Sequence, residues 1–403
     1  MFQLALRNIS RHKLRVAMTL AAIVFGVAGL MLSGGFVKDV LHQLGEATIH
    51  SQLAHVQVFK KGFYEQGSRS PEKYIMDDAR SIADFIARMP EAKAVMRRLQ
   101  FSGLLNNGKA DWAVIGEGVE ASKENELGTF MKVLDGRALQ DDDEDGIFVG
   151  AGVAQALDLK PGSNVTILLN TSEGALNTLE FRVVGIFESF SKEFDERSVR
   201  ISLAAAERLL GREGANSVVV ELKRTEDTVQ AANLIRGKIE GLGYEVHTWT
   251  ELSDFYAKSV ELYRTQFGVL QWIVLIMVLL SVFNTVNMSV FERVGEFGTL
   301  MALGNTRTYV FWLVIAENAV LGLLGAIVGV LFGGILAFAI SGVGIPMPPP
   351  PNSNLGYTAS IRLLPDTVLM AFIVGLLATL GAALLPARRV SRTPIIDALR
   401  YNI

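Results

Sequence analysis

Apolar positions in this chain fall into four long runs and one stretch of short, interrupted ones. Residues 16–37 (VAMTLAAIVFGVAGLMLSGGFV), 263–290, 309–342 and 366–387 each supply the roughly 20 mostly apolar residues needed to cross a hydrocarbon core. Between the first two runs, over 38–262, hydrophobic positions come as short β-rich segments bounded by turn signals: HVQVF at 55–59, DWAVIGEGV at 111–119, NVTILL at 164–169, FRVVGIF at 181–187 and SVVVEL at 217–222. Helical spacing appears between them, over Arg80–Met89, Gly152–Leu157, Leu203–Leu210 and Thr228–Gly241. The pattern predicts a membrane α-helical chain of four transmembrane helices with a large inserted α+β domain. At the end of that domain, Leu252, Phe255, Tyr256, Val260, Leu262 and Tyr263 keep a roughly helical spacing with no Gly or Pro before Gly268. The second span is therefore expected to continue outward as a helical stalk.

The first run follows Arg7, Arg11, Lys13 and Arg15, which resemble the basic start of a signal peptide. Its apolar length exceeds that of a cleaved signal, and no A-x-A site follows it, so it reads as an uncleaved anchor.

Composition sharpens this picture. Half of the 403 residues are hydrophobic and only 20% are charged, below the ordinary level of about 25% for soluble domains. Residues 38–262 hold 26 Lys+Arg against 36 Asp+Glu, a net of −10, whereas the remaining residues hold 12 against 5, a net of +7; together they give −3. Ten basic residues flank the runs on the side of 1–15, 291–308 and 388–403, and only Arg264 and Arg362 on the other. The positive-inside rule then places both termini in the cytoplasm and the acidic domain outside; in a bacterium the membrane would be the inner (plasma) membrane and the outer compartment the periplasm. The balance of charge argues against nucleic acid as a partner. With no cysteine there is no disulfide framework, thiolate metal site or cysteine nucleophile.

Residues 1–15 are basic and weakly amphipathic, as suits a segment lying along the inner leaflet. In 291–308, Val294, Phe297, Leu300 and Met301 share one helical face, with Glu292 and Glu296 one turn apart beside it. Residues 343–365 form a proline-rich loop, GIPMPPPPNSNLGY, expected to be extended and stiff, as a brace or as a contact for cargo or a partner. In 388–403, Thr393 suits a helix N-cap and Pro394 the first helical position.

Candidate chemistry is thin. GLLNNGKA at 103–110 imitates a phosphate loop through Lys109, but Ala110 stands where Ser or Thr would hold magnesium, so a hairpin turn is expected. The run Asp141–Asp145 lacks the Gly and distal Glu of a calcium loop and reads as a solvated turn. His12, His42, His50, His55 and His247 show no metal-ligand spacing. No catalytic residue and no metal site are assigned. Within the third run, Gly325, Gly329 and Gly333 repeat at the four-residue interval that lets helices approach closely in lipid, as a dimer seam or as packing within the subunit. Glu317 and Asn318 are intramembrane polar candidates, with a structural hydrogen bond or snorkelling weighed against a functional role.

Three pieces in order, LALRNISRHKLR before the first span, FERVGEFGTLMALGNTR after the second and PARRVSRTPIIDALRY at the end, resemble the FtsX-like permease family, the membrane subunits of MacB-type ABC transporters. GIFVGAGVAQALDLKPGSNVTILL and FRVVGIFESFSKEFDERSV are similar to the outer domain of lipoprotein-releasing permeases. The resemblance implies a dimer of four-span subunits, identical or related, working with cytoplasmic ATPase subunits that bind ATP and magnesium, while this chain binds no cofactor. It implies that 291–308 is a coupling helix, with Glu292, Arg293, Val294, Glu296, Phe297, Leu300, Met301 and Gly304 as coupling residues. It also implies mechanotransmission to the outer domain. No ATPase domain is fused within this sequence, so a separate ATPase is expected, and the size of the outer domain favours a lipoprotein-releasing-like layout. Cargo is then a lipid-anchored protein or another amphiphile drawn from membrane lipid, with a periplasmic carrier or adaptor as a further partner. Efflux of a small hydrophobic compound or peptide, a non-transporting regulator of cell-wall hydrolases, and a sensor without an ATPase stand as rivals.

Overall fold

The computed structural model describes residues 13–67, 69–128, 130–239, 241–349, 353–354 and 356–400. The principal helices are α1 (Lys13–Thr48), α2 (Ala79–Ile86), α3 (Leu203–Leu210), α4 (Thr228–Ile239), α5 (Asp254–Glu292), α6 (Val294–Ala302), α7 (Arg307–Val343), α8 (Pro365–Arg392) and α9 (Ile395–Arg400). Ten strands form the main sheet: β1 (Val56–Lys60), β2 (Ala92–Asn106), β3 (Asp111–Val119), β4 (Lys132–Gly136), β5 (Gly146–Gly150), β6 (Asn164–Asn170), β7 (Leu176–Glu188), β8 (Ser198–Ser202), β9 (Ser217–Leu222) and β10 (Tyr244–Thr248). The chain divides into a helical unit, running through His42 and then over Val260–Pro346 and from Thr358, and an inserted unit of Gln43–Ser259 with Met347–Tyr357.

In the helical unit, α1, α5, α7 and α8 are the four described helices long and apolar enough to cross a membrane. Their core is made of small and branched residues: Ile23, Val27 and Met31 of α1, Val282 and Val286 of α5, Leu313 and Ala326 of α7, and Ala378 and Ala383 of α8. The glycine series of α7 faces α1. A Cβ on Gly325 would lie 2.8 Å from Cγ2 of Ile23, one on Gly329 2.8 Å from Cβ of Val27, and one on Gly333 2.7 Å from Cε of Met31. The repeat therefore lets α7 lie directly on α1 of the same chain, where contact between backbones is what holds helices together in lipid.

The inserted unit is a mixed sheet ordered β10-β1-β9-β2-β3-β8-β5-β7-β4, with β6 pairing β2 and β7. Two apolar clusters fill it. One gathers Leu99, Phe101, Ile147, Ile167, Ile201 and Leu209, and the other Val58, Ile82, Val218, Val220 and Ile235. Ser202 accepts a hydrogen bond from the amide of Ala205 to start α3, and Gly211 ends it at φ +68°, which explains why those boundaries coincide with the expected ones. The phosphate-loop look-alike is the β2–β3 hairpin turn, where the Asn107 side chain accepts from the amides of Lys109 and Ala110.

Several boundaries differ from those read off the sequence. Helix α1 continues to Thr48, beyond the expected Val37, whereas α5, running from Asp254, makes the apolar run and the expected stalk one uninterrupted 39-residue helix. Strands β2, β4, β5, β8 and β10 were not anticipated. Thr393 is not an N-cap: its hydroxyl donates to the carbonyl of Arg389, closing α8 instead of opening α9. The basic segment 1–15 lies almost entirely outside the described residues, as do residues 350–352 and 355 of the proline-rich loop.

Candidate functional site: a connector helix and an apolar cavity

The link between α5 and α7 folds as a separate short helix because its ends carry local stop and start signals. Gly304 adopts φ +95°, and the amides of Gly304 and Asn305 return to the carbonyls of Met301 and Leu300, both at 3.1 Å, which terminates α6. Thr306 then caps α7 by accepting from the amide of Tyr309 at 3.3 Å.

Helix α6 is two-faced. Val294, Phe297 and Met301 are buried in the same core as Val310, Leu313, Val390 and Ala398, so the helix is seated on α7, α8 and α9. These three residues were expected among those that couple to a partner. They point into their own chain instead, because they are the apolar stripe that holds α6 in place. The surface offered outward is Glu292, Glu296, Thr299, Leu303 and Gly304, with Leu300 half-buried at its edge and Leu303 77% exposed.

Arg293, at the turn before α6, is buried, and its guanidinium binds Glu317 of α7 through both terminal nitrogens, at 2.5 and 3.1 Å. Its Nε donates to Glu296 at 3.0 Å, and the guanidinium lies 5.0 Å from the centre of the Phe297 ring. Glu317 is thus neither snorkelling nor alone: it neutralises an arginine 24 positions earlier in the chain. Asn318 spends its amide on the carbonyl of Val314 in its own helix, a structural bond. The pairing escaped the sequence reading because Glu317 has no local partner pattern and Arg293 already has one in Glu296, three positions on; the available signal was an acid set inside an apolar run close to a short link that carries an arginine.

A second feature lies within the helical unit. A cavity of about 550 Å³ is lined by α1, α5 and α8, with Leu30, Phe267, Trp272, Leu275, Met370 and Val374 among its apolar walls. Lys38, Arg264, Gln271 and Asp366 line it as well, and Lys38 donates to the carboxylate of Asp366. An apolar chamber with charged groups of both signs suits an amphiphile.

Elsewhere several charged groups hold structural partners. Asp143 of the acidic run holds Arg137 through two 2.6 Å bonds. Arg98, Glu117 and Arg200 of the sheet and Glu124 of the short helix Ala121–Leu127 form a buried, charge-balanced group, with Arg98 Nη2 to Glu124 at 2.8 Å and Arg200 Nε to Glu117 at 3.0 Å. Among the described residues no group of His, Cys, Asp and Glu is placed to hold a metal ion.

Residues 16–238 match the family described as the MacB-like periplasmic core domain, and residues 268–395 match the FtsX-like permease C-terminal family. An uncharacterized ABC transporter permease of Methanocaldococcus jannaschii is 28% identical over 66% of this chain, and the match spans 65% of that protein. The lipoprotein-releasing system transmembrane protein LolC of Neisseria meningitidis is 23% identical over 95% of this chain and 93% of its own length. Among solved structures, the periplasmic region of MacB from Actinobacillus actinomycetemcomitans is similar over 53% of this chain and 94% of its own, at 15% identity and a TM-score of 0.37. With one family matched over more than half of its length and the second over its C-terminal helices, the chain belongs to the FtsX-like permeases with a MacB-like periplasmic core domain, and is an ABC transporter permease of that type.

Proposed function

We propose that this permease passes the work of ATP hydrolysis, carried out by a separate ATPase on the cytoplasmic side of a bacterial inner membrane, to the inserted unit on the periplasmic side, and that its cargo is a lipid-anchored protein or a similar amphiphile. The observation that carries the reading is the construction of α6. Its apolar stripe and Arg293 fix it to the helical unit, while Glu296 and, at its two ends, Glu292 and Leu303 are exposed. A helix seated in this way moves as one piece with what it is seated on. The uninterrupted length of α1 and α5 supplies the rods for the movement.

Permeases of this family work with an ATPase and commonly as dimers, so a second permease subunit, identical or related, completes the assembly. The cavity between α1, α5 and α8 supports an amphiphilic cargo, since its apolar walls suit acyl chains and its Lys38 and Arg264 suit a polar head group. Relatives that release lipoproteins align along most of the chain. The chain itself performs no catalysis in this account, and a periplasmic carrier or adaptor would receive the cargo.

The test is ATPase activity of the complex purified from its own membranes, measured with a triacylated lipoprotein, with a small hydrophobic drug, and with neither. Stimulation by the lipoprotein supports the proposal. Stimulation by the drug alone points to efflux, and indifference to both overturns the transport reading in favour of a regulator.

A further inference from the structure

The ion pair between Arg293 and Glu317 has a third member, which is far more exposed than the other two. The guanidinium uses its two terminal nitrogens on Glu317 and its Nε on Glu296. The Glu317 side chain is 9% exposed and that of Glu296 47%. We propose that Arg293 fastens α6 to the interior of α7 through Glu317, that its exposed contact with Glu296 can pass to a docked partner, and that Glu317 is the positioning residue through which movement of α6 reaches the spans. The proposal rests on the reading of α6 as the helix that meets the ATPase.

The asymmetry gives the relay its direction. An ion pair with an exposed carboxylate is weak and exchangeable, so a cationic side chain of a partner can take over Glu296 at little cost. A pair whose two members are both buried cannot be parted without leaving a charge bare in low dielectric, so Arg293 stays with Glu317 while its outer contact changes hands. The Phe297 ring beneath the guanidinium holds its plane, and Phe297 is itself fully buried. Apolar contacts between α6 and α7 tolerate sliding, whereas a two-pronged arginine–carboxylate contact fixes orientation as well as distance. A displacement of α6 would therefore be handed to α7 at Glu317.

The experiment uses the full chain with its co-purified ATPase in lipid nanodiscs. Because the chain has no cysteine, spin labels at Glu173→Cys and Val343→Cys report ATP-driven movement without background. The ATPase subunit is titrated to obtain its half-maximal concentration, and the distance change is read at saturation. Glu296→Gln should raise the half-maximal concentration by about threefold or more and leave the distance change at saturation intact. Glu317→Gln should leave the half-maximal concentration within about twofold and remove more than half of the distance change. Arg293→Gln/Glu317→Gln, which removes both charges of the pair together, should melt closer to the native chain than Glu317→Gln alone and still lack the movement. Movement in Glu317→Gln or in the double variant equal to that of the native chain overturns the relay alone. A native chain with no ATPase-dependent movement overturns the docking reading and the relay with it.

Discussion

Gly329 of α7 lies so close to Val27 of α1 that a Cβ added to the glycine would sit 2.8 Å from the valine Cβ and 3.3 Å from the Cα of Val24. Val24 and Val27 cannot both yield, since one obstacle is backbone and the other a branched side chain with a fixed rotamer. The two helices are therefore locked at this point by the absence of a side chain.

Gly329→Ala should lower thermal stability by about 1–3 kcal/mol, the usual cost of overfilling a packed contact. Gly334→Ala, one position beyond the series, meets nothing within 4 Å and should leave the melting temperature unchanged or raise it. Thermal unfolding of the two variants in detergent decides the matter. If Gly329→Ala instead alters only the association of subunits, the packing seam is misplaced.

The cavity between α1, α5 and α8 should respond to filling. Gly268 lines it and has nothing within 4 Å of a would-be Cβ, so Gly268→Phe adds a ring to the chamber without a clash at the backbone. The variant should bind a fluorescent triacyl lipopeptide about tenfold more weakly, as loss of an apolar subsite implies. Its melting temperature should match that of the native chain. Unchanged binding would remove the cavity from the cargo path.

His55 carries a pH prediction for the inserted unit. It is buried, its Nδ1 accepts from the amide of Leu222 at 3.1 Å, and its Nε2 lies 3.2 Å from the hydroxyl of Thr225. Burial, followed by the neighbouring His50, pushes its pKa down to about 4. An imidazole whose folded pKa lies below its unfolded value contributes stability above pH about 6.5, and that contribution is lost as pH falls towards 4. Proton NMR of the ring should show no titration above pH 5, and melting temperature should decline between pH 6.5 and 4.5. A midpoint near 6.5 for this ring would contradict the buried neutral form.

How much of this was legible before folding depends on what each feature needs. The four spans need only apolar length, and α3 only a serine before and a glycine after, so both were readable. Strand β2 was not, because AKAVMRRLQFSGLLN interrupts its apolar positions with Arg97, Arg98 and Gln100. Arg98 is tolerated inside the sheet because Glu124, 26 residues away, and the carbonyl of Gln52 take up its guanidinium. The direction of α6 failed for a similar reason. Val294, Phe297 and Met301 look like a docking face on a helical wheel, and only the positions of α7, α8 and α9 show that the chain already covers them. Gly325, Gly329 and Gly333 announced a close helix contact, but the identity of the helix they meet is a property of the fold.

The central claim is that the outward face of α6 receives the ATPase, and its most direct test is retention of that ATPase by the tagged chain purified from native membranes in mild detergent. The native chain should hold an ATPase subunit with measurable ATP hydrolysis. Glu296→Gln/Leu303→Asp, which alters only exposed positions and sets no cation beside Arg293, should keep the native melting temperature and lose the subunit. An ATPase bound equally well by the double variant, or none bound by the native chain, would contradict the account.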